Sequence, residues 1–480
     1  MKNIFLFLAL AAVTLSASAL ELPEIIGSNM MLQQKTQAKL WGWAKANSSV
    51  SVTTSWDNKA YSAKADAKSG RWELKVQTPE ASYNNYSISI TGDGETKVLD
   101  NILIGEVWFC SGQSNMEIPL GGFWNCPIEG SNEAIATSGK YRKSIRVVTI
   151  PKADPLVPAD KVPGKWEICE PQNASRFSAV GYFFARTLTD LLDVPVGIIN
   201  CSGGGSAVEG WMPKEILETY PDGLTPMDDF DYHRKMVMYN GMLHPLIGYT
   251  IKGFLWNQGE SNVGREKEYF ERFQTMVNLW RKSWNQPGDK LPIYTYGNPK
   301  GIDAALFRET QHEIAHVLEN CGCVCTSDLI YDFEVEQIHA TKKYEIGQRM
   351  AYMAATRDYG MSGFWAENPE FDYMKIVDAN ENDKVVIAGS TVANNPNDKG
   401  KVVELYFKNC YDGFDRMQDI EGFEAAGEDG VFHPAVVWAT NNDKGTLLKL
   451  ICPEVPDVKN VRYCFKNFII GKLHKSRQLP

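Results

Sequence analysis

Ser114 stands in Gly105-Glu-Val-Trp-Phe-Cys-Ser-Gly-Gln-Ser-Asn-Met116, where an apolar run passes directly into a small polar turn containing glycine. A serine just beyond the carboxyl end of a buried strand sits where open α/β sheets bind ligands, and the residues after it can start a helix whose N–H groups favour negative charge. Alone, the segment reads equally well as an ordinary strand-to-helix turn capped by Ser114. Acyl transfer needs more: a base, a group that orients the base, and donors for the developing oxyanion. Of the seven histidines, His339 is best placed, just before a predicted helix. Glu336 lies three residues earlier, a spacing that lets a carboxylate reach the imidazole within one turn; Asp328, Asp332 and Glu334 are the other acids at hand, and a Ser–His dyad would need none. The Ser114 backbone N–H, a glycine N–H from Gly203-Gly204-Gly205 and the side-chain amide of Gln258 are candidate oxyanion donors. Gln113, Asn115, Asn257 and Glu260 flank these groups and are expected to bind substrate. No Gly-x-Ser-x-Gly elbow surrounds Ser114, which argues against the α/β-hydrolase plan.

These residues need elements to hold them on one rim. From Leu103 onward the pattern alternates strands with amphipathic helices, which predicts a mainly parallel, doubly wound α/β sheet covered on both faces. Strands are expected at Leu103–Cys110, Ile145–Ile150, Val194–Cys201, Thr250–Asn257, Leu291–Tyr296 and Cys323–Asp328, and helices at Ala179–Leu192, Glu266–Trp284, Ala304–Asn320 and Lys342–Arg357. Turns after successive strands of such a sheet converge, so Ser111–Met116, Ser202–Trp211 and Asn257–Asn262 should meet, and Glu336–His339 can reach the same rim. On either side, short β-branched and aromatic runs separated by turn residues predict small β-sandwich units. The expected division is 1–19 signal peptide, 20–102 N-terminal β-sandwich, 103–360 catalytic-type domain and 361–480 C-terminal β-rich domain.

Lys2, the apolar run Ile4–Leu15 and Ala17-Ser18-Ala19 have the order of a secretory signal, so export to the periplasm or medium is expected. No later stretch is long and apolar enough to span a bilayer, so no membrane insertion is expected. The net charge of −10 with no basic run argues against nucleic acid as a partner. Cys321, Cys323 and Cys325 alternate, which fits one face of a strand and not zinc-ligand spacing.

Four separated motifs, in order, resemble those of the sialate O-acetylesterases, a branch of the SGNH hydrolases: Gly105–Met116, Asn200-Cys-Ser-Gly-Gly-Gly-Ser-Ala-Val-Glu-Gly-Trp211, Trp256-Asn-Gln-Gly-Glu-Ser-Asn262, and Gln337-Ile-His339 followed by Gly347-Gln-Arg-Met350. Tyr239-Asn-Gly-Met-Leu243, Asn29-Met-Met-Leu-Gln33 and Val461-Arg-Tyr463 extend the resemblance over nearly the whole chain after residue 19. It implies hydrolysis of acetyl esters on carbohydrates without metal or cofactor. Ser114 would be the nucleophile, His339 the base, and Gly204 and Gln258 would join the Ser114 amide in the oxyanion hole. The chain departs from the common pattern twice: Gln337-Ile-His-Ala340 replaces Asp-Ile-His-Pro, and Asn257 replaces a tyrosine. The first departure leaves the acid open among Glu336, Glu334, Asp332, Asp328 or none; the second bears on the pocket. Sialate, acetylxylan and other plant-glycan esters are the substrates to distinguish, with Arg265 or Arg308 as candidate partners for a sialic acid carboxylate. Two other classes compete: a glycoside hydrolase using Glu260 with Glu117, which would leave Ser114 and His339 without a task, and a non-catalytic carbohydrate-binding protein.

Overall fold

The computed structural model describes residues 20–285, 293–296, 304–379, 385–387, 390–392, 401–415, 419–442 and 445–475. Its organising element is an 18-residue strand, Glu95–Gly112 (β1). The first half of β1 pairs antiparallel with Ser82–Gly92, and short strand Met31–Gln33 runs parallel to its middle at Leu103–Gly105. Its second half is the centre of a mainly parallel sheet with Ile145–Thr149 (β2), Glu167–Ile168 (β3), Val196–Ser202 (β4), Gly253–Asn257 (β5), Ile293–Tyr296 (β6) and Cys321–Val324 (β7). The order across the sheet is β7-β6-β5-β1-β4-β2-β3, with only β3 antiparallel.

From Ile102 onward β1, like all of β4 and β5, is buried on both faces, which is why these stretches are largely apolar. Alternation still decides the side: Trp108 and Cys110 pack into one core with Val180, Phe184 and Ala351, while Val107 and Phe109 face Phe254, Trp280 and Trp284 in the other. The first core is covered by Ala179–Leu192 (α1) and Tyr344–Arg357 (α4), the second by Glu266–Trp284 (α2) and Ala304–Val317 (α3). The Ser178 hydroxyl accepts from the Gly181 N–H to start α1, and Asp193 in the left-handed region ends it. Two helices match the sequence-predicted bounds throughout, and α3 and α4 differ only at one end. The last sheet strand begins at Cys321, not Cys323, and ends at Val324, because the chain turns where Leu329 N–H donates to Thr326 O. Leu291 lies outside the described residues.

The N-terminal unit sets Gln37–Trp43 paired with Arg71–Gln77 against the strands that continue into β1, around buried Trp41, Trp72, Val50 and Ile90. The boundary expected at 102 therefore falls inside one continuous strand. After α4, an antiparallel sheet (Glu370–Asp378, Lys401–Lys408, Gly445–Ile451, Val436–Asn442) and a smaller one (His433–Pro434, Phe423–Ala426, Asn460–Tyr463) share a separate core around Val403, Leu405, Phe423 and Leu448. Residues 1–19 lie outside the described part. All ten cysteines are free thiols.

Candidate active site

Parallel register brings the first three turns to one level: Gly112 pairs with Ser202 on one side and with Asn257 on the other. Their backbones are then laced together, with Gln113 N–H donating to Asn257 O (2.8 Å) and Gly203 N–H to Gly112 O (2.9 Å). The approach is so close that a Cβ on Gly112 would lie 1.9 Å from Asn257 O, and the residue holds φ of +130°, which only glycine adopts readily. From this junction the chain enters a single helical turn, Ser114–Glu117, so the Ser114 N–H has no acceptor within the helix. Ser114 is half-buried, its neighbours Gln113 and Asn115 buried.

Asn115 joins the fourth segment to the other three. Its Nδ2 donates to Glu260 Oε1 (2.6 Å) and to Ile338 O (3.0 Å), while its Oδ1 accepts from Lys343 Nζ (2.8 Å). The loop carrying His339 is thereby fixed to the residue that follows Ser114. Within that loop, Glu334 accepts from Tyr331 N–H and Thr341 N–H, both at 2.8 Å, and ties its two ends. The His339 imidazole meets the edge of Phe123 at 5.6 Å between centroids, its Nδ1 lies 3.6 Å from Cys126 Sγ, and its Nε2 is buried with no hydrogen-bond partner among the described residues. Burial first, and then the nearby Lys343 ammonium, hold its pKa below the ordinary imidazole value. A neutral ring with a free nitrogen is what a general base requires.

Several expectations are corrected by the side chains. Glu336 is exposed and forms no hydrogen bond to His339, because the loop turns its side chain to solvent. The other acids fare no better: Asp332 is exposed, Glu334 braces the loop, and Asp328 is held bidentately by Arg349 at 2.8 and 2.6 Å. Burial opposes the Asp328 charge, yet Arg349 pulls its carboxyl down to about 2. The Gln258 amide donates to Ser206 O (3.1 Å) and Asn262 Oδ1 (2.7 Å), so both its protons brace the turn and neither is open to an oxyanion. Gln113, Asn115 and Asn257, expected on the substrate, are buried; Gln113 Oε1 accepts from Gly259 N–H (3.2 Å) and Asn257 is sealed beneath the rim. Gln113, Asn115 and Gln258 thus serve buried backbone groups of the crowded turns, whereas both polar atoms of the Asn257 side chain are buried with no partner among the described residues. Glu260 is half-buried, with Oε1 on Asn115, Oε2 buried with no hydrogen-bond partner among the described residues, and a carboxyl pKa raised by burial.

Gly204 lies beside the nucleophile, 3.6 Å from its would-be Cβ to Ser114 Cβ. Its N–H is held by the Glu117 carboxylate, whose pKa burial raises. An oxygen anion thus occupies the amide next to Ser114. Sequence reasoning gave Glu117 only to a competing glycosidase reading, although its position three residues after Ser114, on the same helical turn, signals proximity. It also missed Lys343 and Cys126, which come from segments with no motif. Arg265 donates to Glu209 (3.0 Å) and Ser261 O, and Arg308 to Cys464 O and Lys466 O, so both guanidiniums serve the protein itself. A cavity of about 800 Å³ lies between the end of β7 and the C-terminal unit, lined by Arg308, His312, Phe371, Tyr373 and Tyr463; neither Ser114 nor His339 reaches it. No cluster of three metal-ligating side chains is found among the described residues.

Residues 104–356, which hold all four segments, match the model of the family described as carbohydrate esterase, sialic acid-specific acetylesterase. The sialate O-acetylesterase of Homo sapiens is 28% identical over 380 residues, 72% of each chain, and that of Mus musculus 25% identical over 304 residues, 54% of this chain and 56% of its own. A crystal structure of a carbohydrate acetylesterase from Xanthomonas citri superposes with a TM-score of 0.80 at 27% identity, covering 96% of this chain and 98% of the other.

Proposed function

This chain belongs to the sialic acid-specific acetylesterase family of carbohydrate esterases, and from that premise we propose that Ser114 and His339 carry out the removal of acetyl groups from O-acetylated sialic acid. The reaction class, hydrolysis of carbohydrate O-acetyl esters, is that of the family. The observation that carries the residue assignment is Asn115, whose side chain binds Glu260, Ile338 O and Lys343 and so couples the His339 loop to the Ser114 turn.

In this reading His339 takes the Ser114 proton as Oγ attacks the acetyl carbonyl, and later returns it to the leaving sugar hydroxyl. The oxyanion forms at the amides of Ser114 and Gly204. The Glu117 carboxylate on Gly204 N–H is the analogue of that negative oxygen, and the acyl group displaces it on binding. Water activated by the same His339 then releases acetate. The order of charged, apolar and small residues in 1–19 supports export, to the periplasm or the medium.

A neutral acetylated glycan, such as acetylxylan, is the second substrate reading, favoured by the engagement of Arg265 and Arg308 within the protein. Acetate release is measured from O-acetylated sialoglycans, acetylxylan and acetylated pectin, with wild type and Ser114→Ala. Release from the sialoglycans that falls by about 10³-fold or more in the variant is expected. Wild-type turnover by Ser114→Ala overturns the nucleophile, and acetate from xylan alone overturns the sialate substrate.

A further inference from the structure

Since none of the four acids near His339 in sequence reaches its ring, the group that orients the imidazole must come from elsewhere or be absent. The surroundings of Nδ1 are specific. Residues 123–126 form a closed clip, in which Phe123 N–H donates to Cys126 O (3.2 Å) and Cys126 N–H to Phe123 O (3.0 Å). Both ends of the clip touch the base: the Phe123 ring meets the imidazole edge-on, and Cys126 Sγ stands 3.6 Å from Nδ1. From the other side Gln337 Nε2 donates to the same sulfur at 3.6 Å, and its Oε1 accepts from His339 N–H at 3.1 Å. Gln337 precedes His339 by two residues. Here it contributes an amide that binds the His339 backbone and the sulfur together.

We infer that Cys126 is the positioning residue of the base, occupying the third place of a Ser114–His339–Cys126 arrangement. This rests on the reading of His339 as base. With Gln337 donating to sulfur, the sulfur is an acceptor for Nδ1–H; that tautomer leaves the Nε2 lone pair, which has no other partner, for the serine proton. The Phe123 ring, packed T-shaped against the imidazole at 5.6 Å between centroids, resists its rotation. Sulfur is a weaker acceptor than a carboxylate, so the device fixes orientation and tautomer while adding little charge stabilisation. The titratable and charged groups that face the ring are Cys126 from the clip and Lys343 from the turn before α4.

The test compares Cys126→Ala, Cys126→Asp, Glu336→Gln and His339→Ala in full-length enzyme, following kcat, KM and the pH dependence of kcat/KM with p-nitrophenyl acetate, alongside thermal melts. Cys126→Ala should lower kcat by about 10- to 100-fold, short of the ~10⁴ lost with a triad carboxylate, with KM and the melting midpoint little changed. Cys126→Asp should recover much of that loss and move the acidic limb of the profile upward by about one pH unit, because a carboxylate at Nδ1 stabilises the imidazolium. Wild-type kcat in Cys126→Ala, or an unmoved acidic limb in Cys126→Asp, overturns the inference. So does a loss in Glu336→Gln matching that expected for Cys126→Ala, which would return the orienting role to the carboxylate. Retained activity in His339→Ala would instead overturn the assignment of the base.

Discussion

Changing Asn115 to aspartate keeps the shape of the residue that joins the four segments and replaces its donor with a carboxylate oxygen. In the native site Nδ2 serves Glu260 Oε1 at 2.6 Å and Ile338 O at 3.0 Å, and Oδ1 receives Lys343 Nζ at 2.8 Å. In Asn115→Asp the Lys343 contact survives, but an oxygen faces two oxygens. The lost hydrogen bond to a charged acceptor is worth about 1.5–3 kcal/mol, and the loss to Ile338 O about 1 kcal/mol more. Two carboxylates at this separation do not both ionise, so the folded variant retains a proton on the pair. Glu260 is already disposed to hold it, since burial raises its pKa. The folded state then binds a proton that the unfolded chain releases above about pH 4, so stability falls as pH rises, by up to about 1.4 kcal/mol per unit until the pair's upper pKa is passed. We expect a melting midpoint lowered by on the order of 5 °C at pH 8 and by clearly less at pH 5, taking about 1–2 °C per kcal/mol for a chain of this length. Displacement of the His339 loop should lower kcat/KM at pH 8 by about 100-fold. Melts of both proteins at the two pH values, with p-nitrophenyl acetate kinetics, make the measurement. An equal loss of midpoint at pH 5 and pH 8, or none, would refute the reasoning.

Because burial and Lys343 lower the His339 pKa, activity should persist below the ordinary imidazole value of about 6.5 and be lost only as the ring protonates at lower pH; an acidic limb of kcat/KM above pH 7 would contradict this. Gly112→Ala places a methyl 1.9 Å from Asn257 O at φ of +130°, and should either prevent soluble expression or destabilise by several kcal/mol; a melt within 2 °C of wild type, an order-of-magnitude threshold for about 1 kcal/mol, would show that the rim yields.

The sheet and its helices were legible because their signals are local. Apolar period and terminal residues mark Ala179–Leu192 and Glu266–Trp284 to the residue. The rim turns followed, since a parallel sheet leaves little choice about where they meet. Polar residues beside the serine misled: Gln113 and Asn115 look like substrate contacts and Gln258 like an oxyanion donor, but all three serve as internal partners of the crowded turns, while the Asn257 amide is buried with no partner among the described residues. Glu336 satisfied sequence spacing and failed on side-chain direction, which spacing does not encode. Cys126 was invisible for the opposite reason, lying 213 residues from the histidine it touches.

The long strand Glu95–Gly112 has a consequence for how this protein folds. Its first partner, Ser82–Gly92, precedes it directly, whereas its neighbours in the parallel sheet arrive only at Val196 and Gly253. The hairpin closes a short loop and the parallel pairings close long ones, so the hairpin costs much less chain entropy to form. One continuous strand thus joins the N-terminal unit to the parallel sheet, so the hairpin that steadies its first half also fixes the direction of the half that ends two residues before Ser114.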